Sequence, residues 1–248
     1  MHKICVAGKN RSSIEILSLI SKKIDKKYLL VLPNENDNGI DSWQPSLKNY
    51  AKKNNINITN LKNIYNLKNL ILISVEFEKI LKIKKFKSKE LFNIHFSLLP
   101  KYRGCHTNYL QIKNGEKKSG VTLHKIDSGI DTGDIIDQLE FKIDLNTNAF
   151  ENYNRLMDHS LLILKKNLSK LINKKYKLRK QIKTKSTYFS RSFVNYTKEK
   201  FIKKKINSKK FNNKVRALIF PPFQLPLFKG KKIISSSFSK KKVYFKYL

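Results

Sequence analysis

Asn93 and His95, an amide and an imidazole two residues apart, sit in an apolar run formed by Leu91, Phe92, Ile94 and Phe96 that ends at Pro100. Such a run reads as a β-strand. Strand side chains alternate between faces, so residues 93 and 95 project to the same side. A polar pair there is either hydrogen-bonded to neighbours or faces a cleft, and an isolated Asn-x-His reads more readily as two satisfied polar residues at a strand end. A second cluster downstream shifts that reading. Gly120-Val121-Thr122-Leu123-His124 is another short β run, and it opens into Lys125-Ile126-Asp127-Ser128-Gly129-Ile130-Asp131-Thr132-Gly133-Asp134, a loop with two glycines and three acids. The two stretches together offer an amide, two imidazoles and a carboxylate. That set suits proton transfer near neutral pH.

The elements that must position these groups follow in order. Residues 2–7 read as a buried first strand, Gly8-Lys9-Asn10 as a turn, and Ser12 or Ser13 as the cap of a helix through Ile14, Ile16, Leu17 and Ile20. A second strand over residues 28–32 stops at Pro33. This order opens a doubly wound α/β sheet, in which ligands sit beyond the carboxyl ends of the strands. Lys9 and Asn10 are therefore placed to meet one, although the turn is neither a dinucleotide fingerprint nor a phosphate loop. Trp43, the one tryptophan, stands beside a loop, where core packing and ligand stacking are both open. A helix follows near residues 47–53. Residues 70–75 are a continuous apolar run of the buried parallel-strand type, with Glu76 and Phe77 at its carboxyl end. A helix over 106–114 stops at Gly115, strands cover 121–124 and 134–141, and Thr147-Asn148 opens a long amphipathic helix through Ile172.

After Asn173 the character changes. Residues 174–185 are basic, weakly patterned and read as a linker, and residues 187–191 form a short aromatic patch. A helix over 208–218 stops at Pro221-Pro222, and residues 228–232 and 242–248 suggest the two strands of a hairpin. The expected division is a catalytic domain over 1–180 and an extension over 181–248. The extension holds too little apolar material to fold alone and must pack on the main domain or on a second subunit.

Composition bounds the function. The 248 residues carry a net charge of +35, with lysine spread through nearly every segment rather than gathered into one arm. That field favours polyanions or phosphorylated small molecules, but scattered lysines mark a solvated surface more than a specific nucleic-acid site. No apolar run reaches bilayer-spanning length, and no signal-peptide pattern opens the sequence, so a cytoplasmic protein without membrane insertion is expected. Cys5 and Cys105 are too few for a disulfide framework or a structural zinc site, and both are expected to be reduced. Cys105, beside the site stretch, is a weak nucleophile candidate.

Asn93-x-His95, Ser97-Leu98-Leu99-Pro100-x-Tyr102-Arg103-Gly104, and Gly120-Val121-Thr122-x-His124 followed by Asp127-x-Gly129-x-Asp131-Thr132-Gly133-Asp134-Ile135 resemble the formyltransferases that use N10-formyltetrahydrofolate. The resemblance spans residues 1–175 and extends more loosely into 215–230. It implies a Rossmann-like, mostly parallel sheet with a small C-terminal helix and β-hairpin extension. It implies a catalytic trio of Asn93, His95 and Asp131, with His124 in support and no metal. It places the folate cofactor against Phe77, Leu91, Lys125, Ile126, Asp127 and Asp131. An amine attacking a formyl carbon builds charge on the formyl oxygen, which an amide donor can stabilise, while an imidazole oriented by a carboxylate handles the proton.

Within the family, the short tail and the Asp41-Ser42-Trp43-Gln44-Pro45-Ser46 segment look most like sugar N-formyltransferases acting on dTDP-linked amino-dideoxyhexoses in surface-polysaccharide (O-antigen) synthesis. By that resemblance Lys9, Asn10, Trp43, Arg103 and Phe223 meet the nucleotide-sugar, and the tail joins a homodimer. A 4-amino-4,6-dideoxyglucose is preferred as the acceptor. The alternative is a methionyl-tRNA formyltransferase-like or other tRNA-binding protein.

Overall fold

The computed structural model describes residues 2–248, and the chain divides into two compact units. The first comprises residues 1–95, 121–139 and 157–183, the second residues 96–120, 140–156 and 184–248. The elements in chain order are β1 (Lys3–Gly8), α1 (Asn10–Ser21), β2 (Leu29–Pro33), α2 (Leu47–Lys53), β3 (Asn57–Ile58), α3 (Leu61–Tyr65), β4 (Leu70–Val75), β5 (Glu90–His95), β6 (Arg103–Gly104) and α4 (Thr107–Lys113). After these come β7 (Lys118–Lys125), β8 (Ile135–Lys142), α5 (Ala149–Ile172), β9 (Tyr188–Phe189), α6 (Tyr196–Glu199), β10 (Phe201–Ile202), α7 (Lys209–Ala217), β11 (Leu227–Phe228), β12 (Lys231–Ser239) and β13 (Lys242–Tyr247).

The main sheet runs in the order β3-β2-β1-β4-β5-β7-β8. Strands β1 to β5 are parallel to their neighbours, whereas β7 returns antiparallel to β5, so the sheet is mixed at that side. The chain leaves β1 to one side for β2 and then crosses to β4 on the other, which puts a topological switch point between β1 and β4. β4 is buried along its whole length, as its unbroken Leu-Ile-Leu-Ile-Ser-Val run requires. Gly8 is there because β1 and β4 close on one another: a Cβ at that position would lie 2.0 Å from the Val75 carbonyl oxygen. Helix α1 begins directly after it, at Asn10, rather than at Ser12 or Ser13. Both serines are buried inside the helix, where Ser13 Oγ donates back to the Lys9 carbonyl at 2.8 Å. Helix α5 opens with a reciprocal cap, Glu151 N donating to Asn148 Oδ1 at 2.9 Å and Asn148 N to Glu151 Oε2 at 3.0 Å.

In the second unit a sheet in the order β10-β11-β12-β13 packs β12 on α7, and β6 pairs with β9. Arg216 on α7 is 2% exposed, with bonds to the Asp144 and Thr147 carbonyls and to Asn213 Oδ1, and burial pulls its pKa down to about 10. The hairpin differs from the sequence expectation. Its first strand runs to Ser239, and the turn is Lys240-Lys241, both at positive φ (47° and 58°). Two left-handed lysines carry no turn signal of the Asn-Gly kind.

Candidate active site

Sheet register assembles the site. Ser74 on β4 stands opposite Asn93 on β5, and Asn93 stands opposite His124 on β7, so one cross-strand row carries a hydroxyl, an amide and an imidazole. His95 follows two residues along β5, opposite Thr122. The strand alternation expected from sequence is therefore what puts Asn93 and His95 together. Asp131 reaches them from the loop between β7 and β8. Its backbone is left-handed (φ 52°), and the next glycine, Gly133, lies so close to the chain that a Cβ would meet the Lys125 carbonyl oxygen at 1.9 Å.

The amide, the two rings and the carboxylate are in mutual reach. His95 Nδ1 is 3.4 Å from Asp131 Oδ2, and Asn93 Nδ2 is 3.3 Å from Asp131 Oδ1 and 3.2 Å from His124 Nε2. Ser74 Oγ donates to Asn93 Oδ1 at 2.7 Å, which fixes the amide with its nitrogen toward the carboxylate. His124 Nδ1 lies 2.7 Å from the Lys125 carbonyl, to which it can only donate. The neutral ring then presents a lone pair at Nε2 to accept from Asn93. His124 thus orients the amide from one side as Ser74 does from the other. His95 and Asp131 have side-chain exposures of 8% and 14%, so the charge facing the imidazole is only slightly screened by water.

Two tethers hold the acid's loop. Within it, Asp127 Oδ1 accepts from Gly129 N at 3.1 Å and Thr132 Oγ1 at 2.6 Å. From outside, Gln181 Nε2 donates to the Asp131 carbonyl at 2.9 Å and to the Gly133 carbonyl at 2.7 Å. Gln181 belongs to the stretch that reads as a linker, and its sequence context carries no signal. Ser74 carries a weak one, as the single polar residue in an apolar strand.

The other expected residues fall out as follows. Leu91 is in a buried cluster against which Phe77 and Ile126 pack while partly exposed, so these three share one apolar wall. Lys125 does not join them with its ammonium. As the residue after His124 on β7 it points the other way, to Glu90 Oε2 at 3.6 Å and Tyr176 Oη at 3.1 Å, over the Phe92 ring at 4.8 Å; burial lowers its pKa against the pull of Glu90. The site uses its backbone carbonyl instead. The Asp127 carboxylate is engaged in shaping its own loop. Asn10, left-handed at φ 64°, has Nδ2 3.5 Å from Glu76 Oε2, and the Trp43 segment meets the same turn because Gln44 Oε1 accepts from Arg11 N at 3.1 Å. Lys9 caps α1 in extended conformation. Arg103 and Phe223 belong to the second unit. Arg103 N donates to the Thr187 carbonyl at 2.8 Å, and the exposed Phe223 stacks on Phe220 at 5.4 Å. Cys105 is also there, its N–H donating to the Phe189 carbonyl at 2.9 Å; Cys5 is buried in β1. Among the described residues no helix is long and apolar enough to cross a membrane, and no group of His, Cys, Asp or Glu side chains is arranged to hold a metal.

Residues 2–168 match the family model described as formyl transferase. The chain belongs to the formyl transferase family. Among solved structures in that family, a sugar 3N-formyl transferase, WlaRD, solved in the presence of dTDP and 5-N-formyl-THF, is 46% identical. Its TM-score is 0.91 over 97% of this chain and 87% of that one. The N-formyltransferase of Helicobacter canadensis, in complex with folinic acid and dTDP-3-aminofucose, is 44% identical with a TM-score of 0.91 over 96% and 88% of the two chains. The bifunctional polymyxin resistance protein ArnA of Wigglesworthia glossinidia brevipalpis is 33% identical over 80% of this chain and 32% of its own length. The methionyl-tRNA formyltransferase of Clostridium tetani is 31% identical over 77% and 66%. The chain thus spans less than two thirds of the length of these two curated relatives.

Proposed function

We propose that the protein is a sugar N-formyltransferase that moves a formyl group from N10-formyltetrahydrofolate to the amine of a dTDP-linked amino-dideoxyhexose. The observation that carries this is the convergence of Asn93, His95 and Asp131 within 3.4 Å, in a family member whose relatives at 44–46% identity were solved with formyl-folate species and dTDP or a dTDP-amino sugar. The preference for a 4-amino-dideoxyglucose gives way to an amine at C3. Both of those relatives are described with 3-amino chemistry, whereas a 4-N formyltransferase of Francisella tularensis is only 21% identical.

The apolar wall of Leu91, Phe77 and Ile126, bordering a loop rich in backbone polar groups, fits a flat heterocycle with apolar faces. When bound, the folate supplies a formyl group on an aromatic amine nitrogen. In the proposed mechanism the chain's own residues do the rest. His95, with its Nδ1 proton directed at Asp131, presents Nε2 as the base that takes the proton shed by the attacking amine, and returns it to the departing nitrogen. Asp131 stabilises the ring while it is positive. The Asn93 N–H that faces Asp131 exchanges that 3.3 Å contact for the formyl oxygen and is the donor for the charge that develops there, with the amide held by Ser74 and His124. This reading includes a homodimer, supported by the exposed Tyr244 and Tyr247 on β13 at the margin of its sheet, and a cytoplasmic enzyme in which free thiols stay reduced.

The test is incubation with N10-formyltetrahydrofolate and a panel of aminated dTDP- and UDP-sugars, read by mass spectrometry for one added formyl group. A 3-amino dTDP-sugar is expected to be formylated fastest, and Asp131→Asn and His95→Asn each to lower turnover by at least about 10²-fold. No formylation of any sugar, together with tRNA binding tighter than about 1 µM at physiological salt, would overturn the reading in favour of the tRNA alternative.

A further inference from the structure

We infer that Gln181 is a positioning residue for the proposed formyl transfer, and that the strap around it, residues 176–181, sets the reach of the Asp131 carboxylate. The inference rests on the reading of Asp131 as a member of the catalytic trio.

Three anchors lay this segment along the edge of the site. Tyr176 Oη donates to Glu90 Oε2 at 2.5 Å, at the start of β5. Arg179 pairs with Ile135 as an antiparallel bridge through two backbone bonds of 2.8 Å, and its guanidinium donates to Gln138 Oε1 at 2.7 Å. Gln181 then reaches the loop itself, its single amide nitrogen spanning the carbonyls of Asp131 and Gly133. The geometry of that bond pair is informative. Asp131 holds a left-handed backbone (φ 52°), a conformation that the surrounding chain must maintain, and no side chain but Gly133's hydrogen fits two residues on. A primary amide has two N–H groups, so one side chain can clamp both carbonyls that flank this turn. The bonds made inside the loop, from Gly129 and Thr132 to Asp127, shape its other end and do not touch residue 131 or 133. The carboxylate meets His95 at 3.4 Å, so a displacement of even one ångström would take it out of hydrogen-bonding reach.

The test uses the full chain. Gln181→Ala and Gln181→Glu are each expected to lower kcat by about 30-fold while KM for both substrates changes less than about threefold, because binding surfaces are kept and only the carboxylate's position is lost. Gln181→Glu keeps the volume and removes the donors, so it guards against a simple packing defect. The decisive comparison is with Asp131→Asn: added to that variant, Gln181→Ala is expected to lower kcat less than twofold further, since it acts through the same group. Equal losses in the two backgrounds would assign Gln181 a merely structural role and overturn the inference. So would unchanged kcat in both Gln181 variants while Asp131→Asn is impaired, which leaves the proposed function standing. Full turnover in Asp131→Asn would overturn both.

Discussion

Replacing Asn93 by aspartate exchanges one NH2 group for an oxygen and changes almost nothing in shape. The new oxygen takes the place of Nδ2, 3.3 Å from Asp131 Oδ1 and 3.2 Å from His124 Nε2. At an effective dielectric of about 20, two carboxylates at that separation repel by about 5 kcal/mol. The protein escapes part of this by capturing a proton, which costs about 1.4 kcal/mol for each pH unit above an ordinary carboxylate pKa near 4, or about 4 kcal/mol at pH 7. The penalty therefore lies at about 2–4 kcal/mol at pH 7, with any bridge from a newly protonated His124 lowering it. The sign of the pH dependence follows. The folded variant holds a carboxyl whose pKa is raised above its unfolded value, so the loss is largest at high pH and shrinks as pH falls toward 4. Denaturant unfolding at pH 8, 7, 6 and 5 should show the gap to the wild-type protein closing by about 1 kcal/mol per unit through the lower part of that range. Turnover should fall by about 10²–10³-fold, since a donor has become an acceptor. Asn93→Ala should lose turnover similarly without the pH-dependent closing. An Asn93→Asp variant whose stability deficit stays constant from pH 8 to 5 would refute the placement of Asn93 against Asp131.

Three further outcomes are expected. Ser74→Ala frees the Asn93 amide to turn over and leaves its oxygen without the 2.7 Å bond, so kcat should fall about tenfold with a stability loss of about 1–2 kcal/mol, read by steady-state kinetics and urea unfolding. Burial pushes the Asp137 carboxyl up, but bonds from Asn167 at 2.7 Å and Lys166 at 2.9 Å outweigh it and hold the pKa below the usual range. Its contribution is present above the unfolded carboxylate pKa and lost as pH falls through the depressed one; Asp137→Asn should flatten acid unfolding below about pH 4 by about 1 kcal/mol or less. Arg216→Ala strips donors from the Asp144 and Thr147 carbonyls and from Asn213 in a buried setting, and should cost about 3 kcal/mol in thermal or urea unfolding.

The sequence was most informative where one physical rule decides the outcome. Alternation along β5 was enough to pair Asn93 with His95, and β4, apolar but for Ser74, read as an interior parallel strand. The loop between β7 and β8 announced its acids and glycines, and the structure brings Asp131 to His95 from there. Lys125 shows what the same rule adds: next to His124 on the strand, it turns its ammonium to Glu90 and Tyr176 while its backbone carbonyl stays with the His124 ring. What stayed hidden depends on partners distant in sequence. Nothing in a basic, unpatterned stretch marks Gln181, because its meaning comes from two carbonyls that fold toward it. The Lys240-Lys241 turn was illegible for another reason: a left-handed backbone enforced by the pairing of β12 with β13 needs no turn-forming residue.

The strap also bears on where this protein can be divided. The match to the family model ends at residue 168, and Asn93, His95 and Asp131 all lie before that point. The amide that clamps the acid's turn lies beyond it, on chain that the family model does not cover. A fragment cut where that match ends would keep Asn93, His95 and Asp131 and lose the brace that aims one of them.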